Sequence, residues 1–152
     1  MRTFLLLDKK PIVKWGMIPD ETYFFGLVPE GYGLAINPHH PYVILDIDKH
    51  GDMDGFKNIP DYIYDELIKK HLTYPTKNNG LHVWLKYSGD KPLMNKTSRL
   101  GFDLRTKSGY VKWYLKGDIR DYMYLIKETS LEINNFLEAH FLGINYNKEN
   151  EE

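Results

Sequence analysis

Tyr42-Val-Ile-Leu-Asp-Ile-Asp48 is the stretch whose reading decides the fold. Its aromatic and β-branched residues predict a strand, and its two carboxylates, spaced i, i+2, project from one face at the strand's end. At the usual rise their Cα atoms stand about 6–7 Å apart, so both reach one cation or a pair. All-oxygen sites suit Mg²⁺ or Mn²⁺, and magnesium held by few carboxylates completes its octahedron with water and substrate phosphates. The pair points toward phosphoryl transfer. Strands also end in solvated acids with no such purpose, so the surrounding motifs carry the distinction.

Working outward, further short apolar and aromatic runs predict strands at Phe4–Leu7, Tyr32–Ile36, Leu81–Tyr87, Leu100–Leu104, Tyr110–Leu115 and Tyr122–Ile126. Between Ile47 and Leu81, Ile59, Ile63, Leu67 and His71 recur every four residues behind Pro60, which predicts a crossover helix over Asn58–Leu72. Asp20–Phe25 reads as a short helix. Thr129-Ser-Leu-Glu132 has the capping-box form and opens a helix that Gly143 would end. Without strict βαβα alternation, the expected class is α+β, a largely antiparallel sheet with helices on one side. At 152 residues, with no repeat or linker, the chain reads as one domain over 1–146 followed by a frayed acidic tail, 147–152.

Cysteine is absent, which excludes disulfides, thiolate zinc sites and thiol catalysis and leaves oxygen or imidazole for any metal. No stretch approaches the ~18 apolar residues of a membrane span, and the opening apolar run is far shorter than a signal h-region, so a cytoplasmic protein without a membrane partner is expected. The overall charge of −1 hides a strong asymmetry. Residues 1–72 hold 8 Lys/Arg and 11 Asp/Glu, residues 73–120 hold 10 and 3, and residues 121–152 hold 2 and 7. A middle segment of net +7, interleaved with Trp84, Tyr87, Tyr110, Trp113 and Tyr114, has the charge and rings to follow a phosphate backbone and stack bases. A solvated sheet face is the plainer reading of the same charges.

Two further motifs share the middle of the chain. Gly80-Leu-His82 begins a strand after the polar turn Thr76-Lys77-Asn78-Asn79. An imidazole there, beside Lys77, is placed either to hydrogen-bond a triphosphate oxygen or to act as acid or base in a hydrolase. Gly101-Phe-Asp103-Leu-Arg105, followed by Gly109-Tyr110, puts a third carboxylate and a guanidinium on one strand face. That carboxylate would complete a set for two metals, and the planar fork of Arg105 suits phosphate or a base edge. His39-His40 and His50 near Asp52 and Asp54 lack the acid spacing and terminal Glu of an EF-hand and read as loop residues, and Gly31-Tyr-Gly33 reads as a turn.

Taken in order, Leu45-Asp-Ile-Asp48, Gly80-Leu-His82 and Gly101-Phe-Asp-Leu-Arg105, with Lys10-Pro11 and Trp15 upstream, resemble the primase–polymerase domain of the archaeo-eukaryotic primase superfamily, especially the bifunctional modules of phages and plasmids. The likeness covers roughly residues 8–125. It implies an RRM-like catalytic sheet packed with a small N-terminal α/β lobe. It implies Asp46, Asp48 and Asp103 as ligands of catalytic Mg²⁺ or Mn²⁺, with His82 on the incoming nucleotide and Arg105, Lys77 and Lys10 in support. The activity implied is DNA-dependent nucleotidyl transfer from an NTP or dNTP to a 3′-hydroxyl on a single-stranded or primed DNA template, in phage or plasmid replication within a bacterial host cell, alongside a replicative helicase or another replication protein. Thr-Lys-Asn-Asn-Gly departs from the family's usual Thr-Pro-Ser-Gly-Gly and removes a small hydroxyl near the phosphates. Two other functions fit the same residues: a non-catalytic relative that holds DNA, nucleotide or protein in replication or anti-defence, and a metal-dependent nuclease.

Overall fold

The computed structural model describes residues 1–142. The expected tail, 147–152, and the expected helix stop, Gly143, lie outside them. In chain order the elements are β1 (Arg2–Leu7), β2 (Lys10–Pro11), β3 (Tyr32–Asn37), β4 (Tyr42–Ile47), β5 (Lys49–His50), β6 (Met53–Asp54), the single turn α1 (Gly55–Asn58), α2 (Asp61–Lys70), β7 (Leu72–Pro75), β8 (Leu81–Lys86), β9 (Lys96–Thr97), β10 (Phe102–Arg105), β11 (Val111–Lys112) and α3 (Leu131–Phe141). Strands β7-β8-β4-β10-β9 form one sheet, β11-β3-β1-β2 a second, and β5-β6 a small hairpin. Every pairing within them is antiparallel, so the architecture is α+β with antiparallel sheets.

The quoted stretch becomes the central strand of the larger sheet because it is apolar on both faces until its last residues. On one face Leu45 and Ile47, with Val83, Leu85, Phe102 and Leu104, pack against Ile63 and Leu67 of α2 and Ile133, Phe136, Leu137 and Phe141 of α3. Full burial of Ile63 and Leu67 stabilises the docking of α2 by about 1.5–3 kcal/mol each. On the other face Ile44, Trp84 and Tyr74 meet Ile36 of β3, Val111 of β11, Trp113 and Ile126, so the two sheets share one core. β4 and β7 each pair antiparallel with β8 and therefore run parallel to one another, with α2 as the crossover between them.

Several elements differ from their sequence expectation. Tyr122–Ile126 is not a strand: it follows a 3-10 turn at Ile119–Asp121 and contains a second at Met123–Leu125. Asp118 accepts from the Arg120 amide at 2.8 Å and Asp121 accepts from the Asp118 amide at 3.2 Å, which caps the first of these turns. Asp20–Phe25 is not a helix: Thr22 accepts from the Thr3 amide at 3.0 Å and lies alongside β1, and Glu21 has a φ of 61°. The helical periodicity through Leu72 is cut at Lys70, since Leu72 enters β7, and Pro60 stands at the N-cap of α2. Ser130 rather than Thr129 caps α3, accepting from the Ile133 amide at 3.3 Å, while the Thr129 hydroxyl is turned to Asn134 and Ser88. Leu100–Leu104 and Tyr110–Leu115 shift to Phe102–Arg105 and shrink to Val111–Lys112. The part before β4 carries strands and one 3-10 turn, Trp15–Met17, in place of an α-helix. Among the described residues no helix is long and apolar enough to cross a membrane.

Candidate active site

Strand register assembles the site. Asp46 on β4 faces His82 on β8 to one side and Asp103 on β10 to the other, and His82 faces Tyr74 on β7. Residues directly opposite in an antiparallel ladder share a sheet face, so Tyr74, His82, Asp46 and Asp103 form one row across four strands. Asp48 follows at i+2 on the same side. This face begins at Ile44 and Trp84 in the shared core and emerges two residues later as a polar cleft lined by Asp46, Asp48, His50, Thr76, Lys77, Asn78, His82 and Tyr114.

Three glycines, Gly55, Gly80 and Gly101, surround Asp48. Its amide donates to the Gly101 carbonyl at 2.7 Å, and its own carbonyl accepts from the Gly55 amide at 2.8 Å, so the backbone is held from both sides. Gly101 has a φ of +90°, in the left-handed region that favours glycine. A Cβ on Gly80 would press into Asp48 Oδ1 and stand 2.7 Å from the Ile47 carbonyl oxygen and from Thr76 Oγ1. Only glycine fits there without moving an acid.

The polar atoms of the row are close but incompletely paired. His82 Nε2 lies 3.5 Å from Asp46 Oδ1, and His50 Nε2 lies 3.7 Å from Asp48 Oδ2. Arg105 Nη2 stands 3.5 Å from Asp103 Oδ2, and the Ser98 amide donates to Asp103 Oδ1 at 3.3 Å. Asp46 Oδ1 is buried and has no hydrogen-bond partner. Burial first, then the negative charge of Asp46, pushes the Asp48 carboxyl above its ordinary range. Burial likewise raises Asp103, against the opposing pull of Arg105. Desolvated, mutually repelling carboxylates with an orphaned oxygen are a donor set that a divalent cation would relieve. Among the described residues no three His, Asp or Glu side chains are gathered closely enough to form a ready metal-binding group.

The acidic cleft measures about 150 Å³, below the roughly 300–1,000 Å³ of small-molecule sites. Lys77 and Tyr114 also line a second cleft of about 530 Å³, whose wall includes Lys9, Lys112, Tyr32 and Tyr110. Lys77 therefore stands between the two. Lys10 lies on β2, where it pairs with Leu7, and its neighbour Lys9 is the lysine that lines the larger cleft. Arg105 is held over Asp103 on β10. Of the rings read as a stacking platform, Trp84, Tyr87 and Trp113 are buried in the two cores, so only Tyr110 and Tyr114 remain at the surface of the clefts.

Thr76, Asn78, His50, Tyr114 and Tyr74 were not singled out from sequence as parts of the acidic site, and register or turn geometry is what brings them there. Thr76, the threonine this turn shares with Thr-Pro-Ser-Gly-Gly, lines the cleft, and Asn78 stands where that pattern has its serine. His50, read as a loop residue, sits on the β5-β6 hairpin beside Asp48. Comparison with protein-family models and with curated proteins returns no match.

Proposed function

We propose that this chain is a primase–polymerase-type nucleotidyltransferase that transfers a nucleotide from an NTP or dNTP to a 3′-hydroxyl on a DNA template. The observation that carries the reading is the row His82–Asp46–Asp103 with Asp48 beside it, assembled by strand pairing from motifs distant in sequence. The order β7-β8-β4-β10, with α2 between the first and second of these strands in sequence, supports an RRM-like sheet, although α3 follows the fourth strand instead of preceding it.

Asp46, Asp48 and Asp103 would hold Mg²⁺ or Mn²⁺, which when bound would lower the charge on the attacking and leaving oxygens of the phosphoryl group. The chain's own residues bind and orient. His82 and Lys77 face the cleft as donors for phosphate oxygens, and Thr76 Oγ1 adds a hydroxyl. Arg105 holds Asp103 in place on β10. The Lys9, Lys77, Lys112 and Tyr32, Tyr110, Tyr114 wall offers charge for phosphates and rings for bases. Such positioning and electrostatic complementarity supply most of the catalysis in phosphoryl transfer.

Primer extension with a labelled primer–template and Mg²⁺ or Mn²⁺ tests the reading. Incorporation that disappears in Asp46→Ala and Asp48→Ala supports it, and a wild-type chain that incorporates nothing while folded counts against it. The small acidic cleft favours a second reading, a non-catalytic relative that binds DNA, nucleotide or a protein partner through the larger cleft. Binding of single-stranded DNA without any binding of a metal–triphosphate separates that outcome from the first.

A further inference from the structure

Behind His82 lies a buried polar pair that the proposed chemistry does not use. The Tyr74 hydroxyl accepts a hydrogen bond from Trp84 Nε1 at 2.8 Å and lies 3.3 Å from His82 Nδ1. Tyr74 and Trp84 are both fully buried, and Tyr74 also packs edge-on against Trp113 and His82. An indole N–H only donates, so the tyrosine oxygen is the acceptor of that bond and its single proton is left for a different partner. His82 Nδ1 is the other polar atom within reach, and it takes that proton only as a bare nitrogen, with the ring proton on Nε2.

The opposite arrangement fails at both ends. With the proton on Nδ1, the tyrosine proton would be buried without an acceptor, and a bare Nε2 would aim its lone pair at the Asp46 carboxylate 3.5 Å away. A buried donor without a partner costs about 1–3 kcal/mol. We propose that Tyr74 is a positioning residue that locks neutral His82 as its Nε2–H tautomer, so that the nitrogen facing the cleft is an obligatory hydrogen-bond donor.

Two consequences follow. His82 cannot take a proton at the nitrogen that faces the acids, so it does not serve there as the general base of a hydrolase. It presents instead a fixed N–H to an acceptor lodged beside Asp46, and that acceptor is a phosphate oxygen if the nucleotidyltransferase reading holds, on which this second consequence rests.

Long-range ¹H–¹⁵N correlation spectra of the ¹⁵N-labelled full chain, without metal or nucleotide and at a pH where the ring is neutral, read the tautomer directly. The His82 signals are those lost in His82→Gln. The expected result is a pyridine-like Nδ1 and a pyrrole-like Nε2, with the two shifts moving toward each other in Tyr74→Phe as tautomers mix. A proton on Nδ1, protons on both nitrogens, or a Tyr74→Phe spectrum like that of the wild type overturns the proposal. Should Tyr74→Phe fail to fold, Trp84→Phe, which leaves the tyrosine oxygen without its indole donor and so lets it accept from Nδ1–H, should mix the tautomers in its place, and a Trp84→Phe spectrum like that of the wild type overturns the proposal. A Mn²⁺ titration with and without a nonhydrolysable nucleoside triphosphate separates this idea from the reading it rests on. Tyr74→Phe should bind the triphosphate about tenfold more weakly, the effect of one hydrogen bond, with Mn²⁺ binding alone unchanged. A wild type that shows the expected tautomer but binds no Mn²⁺ sinks the nucleotidyltransferase reading and leaves the tautomer lock standing.

Discussion

Replacing Asp48 with Asn should stabilise the metal-free protein at neutral pH, an unusual outcome for an acid fixed by two backbone hydrogen bonds. The sign follows from the carboxyl being raised in the fold by burial and by Asp46. A group raised in the folded state adds stability below its unfolded value, near 3.8, and that contribution is lost as pH rises through the folded value. At pH 7 the ionised side chain therefore weakens the fold. With the strand's i, i+2 Cα spacing of about 6.7 Å standing in for the charge separation, the two carboxylates repel by about 0.6 kcal/mol in water and about 2.5 kcal/mol at an effective dielectric of 20. Asp48 keeps 27% of its side chain exposed, so solvent brings the gain to about 1 kcal/mol, or about 2–4 °C in Tm for a chain of this size. Thermal melts in EDTA should place Asp48→Asn above the wild type at pH 7 and level with it near pH 3. Mg²⁺ at a hundred times its Kd should add about 2.7 kcal/mol to the wild type and far less to the variant, inverting the order. An Asp48→Asn protein that melts below the wild type in EDTA at pH 7 refutes the claim that these acids repel one another while awaiting a cation.

Gly80→Ala should destabilise the fold by about 1–3 kcal/mol, because its Cβ meets the Ile47 backbone oxygen as well as Asp48, and should weaken Mn²⁺ binding in calorimetry more than a remote substitution of equal cost. Charge reversal of Lys9 or Lys112 should weaken single-stranded DNA binding similarly across sequences and flatten its salt dependence, read by fluorescence anisotropy at several salt concentrations. Ser130→Ala should cost about 1 kcal/mol by urea denaturation through loss of the α3 cap, with Mn²⁺ affinity unchanged.

The central strand and its neighbour were legible in the sequence, since Tyr42–Ile47 and Leu81–Lys86 are short, mostly apolar runs that include aromatic and β-branched residues. The crossover helix was legible from Ile63 and Leu67, but not its bounds: Ile59 is extended between α1 and α2, and Leu72 suits a buried strand as well as a helix face. Tyr122–Ile126 misled because its apolar and aromatic composition suits a strand, yet only Ile126 is buried, Tyr124 is exposed, and Met123–Leu125 closes a 3-10 turn. The acids and His82 could be named from their strands and from family resemblance, whereas their alignment depends on register, a relation between strands. Tyr74 was invisible on the same ground, being an ordinary core tyrosine until β7 is paired against His82. The glycines at 80 and 101 were read as motif punctuation, and only the fold reveals them packed around Asp48.

The account rests on Asp46, Asp48 and Asp103 sharing cations, and a crystal soaked with Mn²⁺ and a nonhydrolysable nucleoside triphosphate measures that most directly. Anomalous density should lie among the three carboxylates, with a phosphate oxygen within hydrogen-bond distance of His82 Nε2. Density for Mn²⁺ elsewhere on the molecule, with the three acids bare and the triphosphate absent from the cleft, would contradict it.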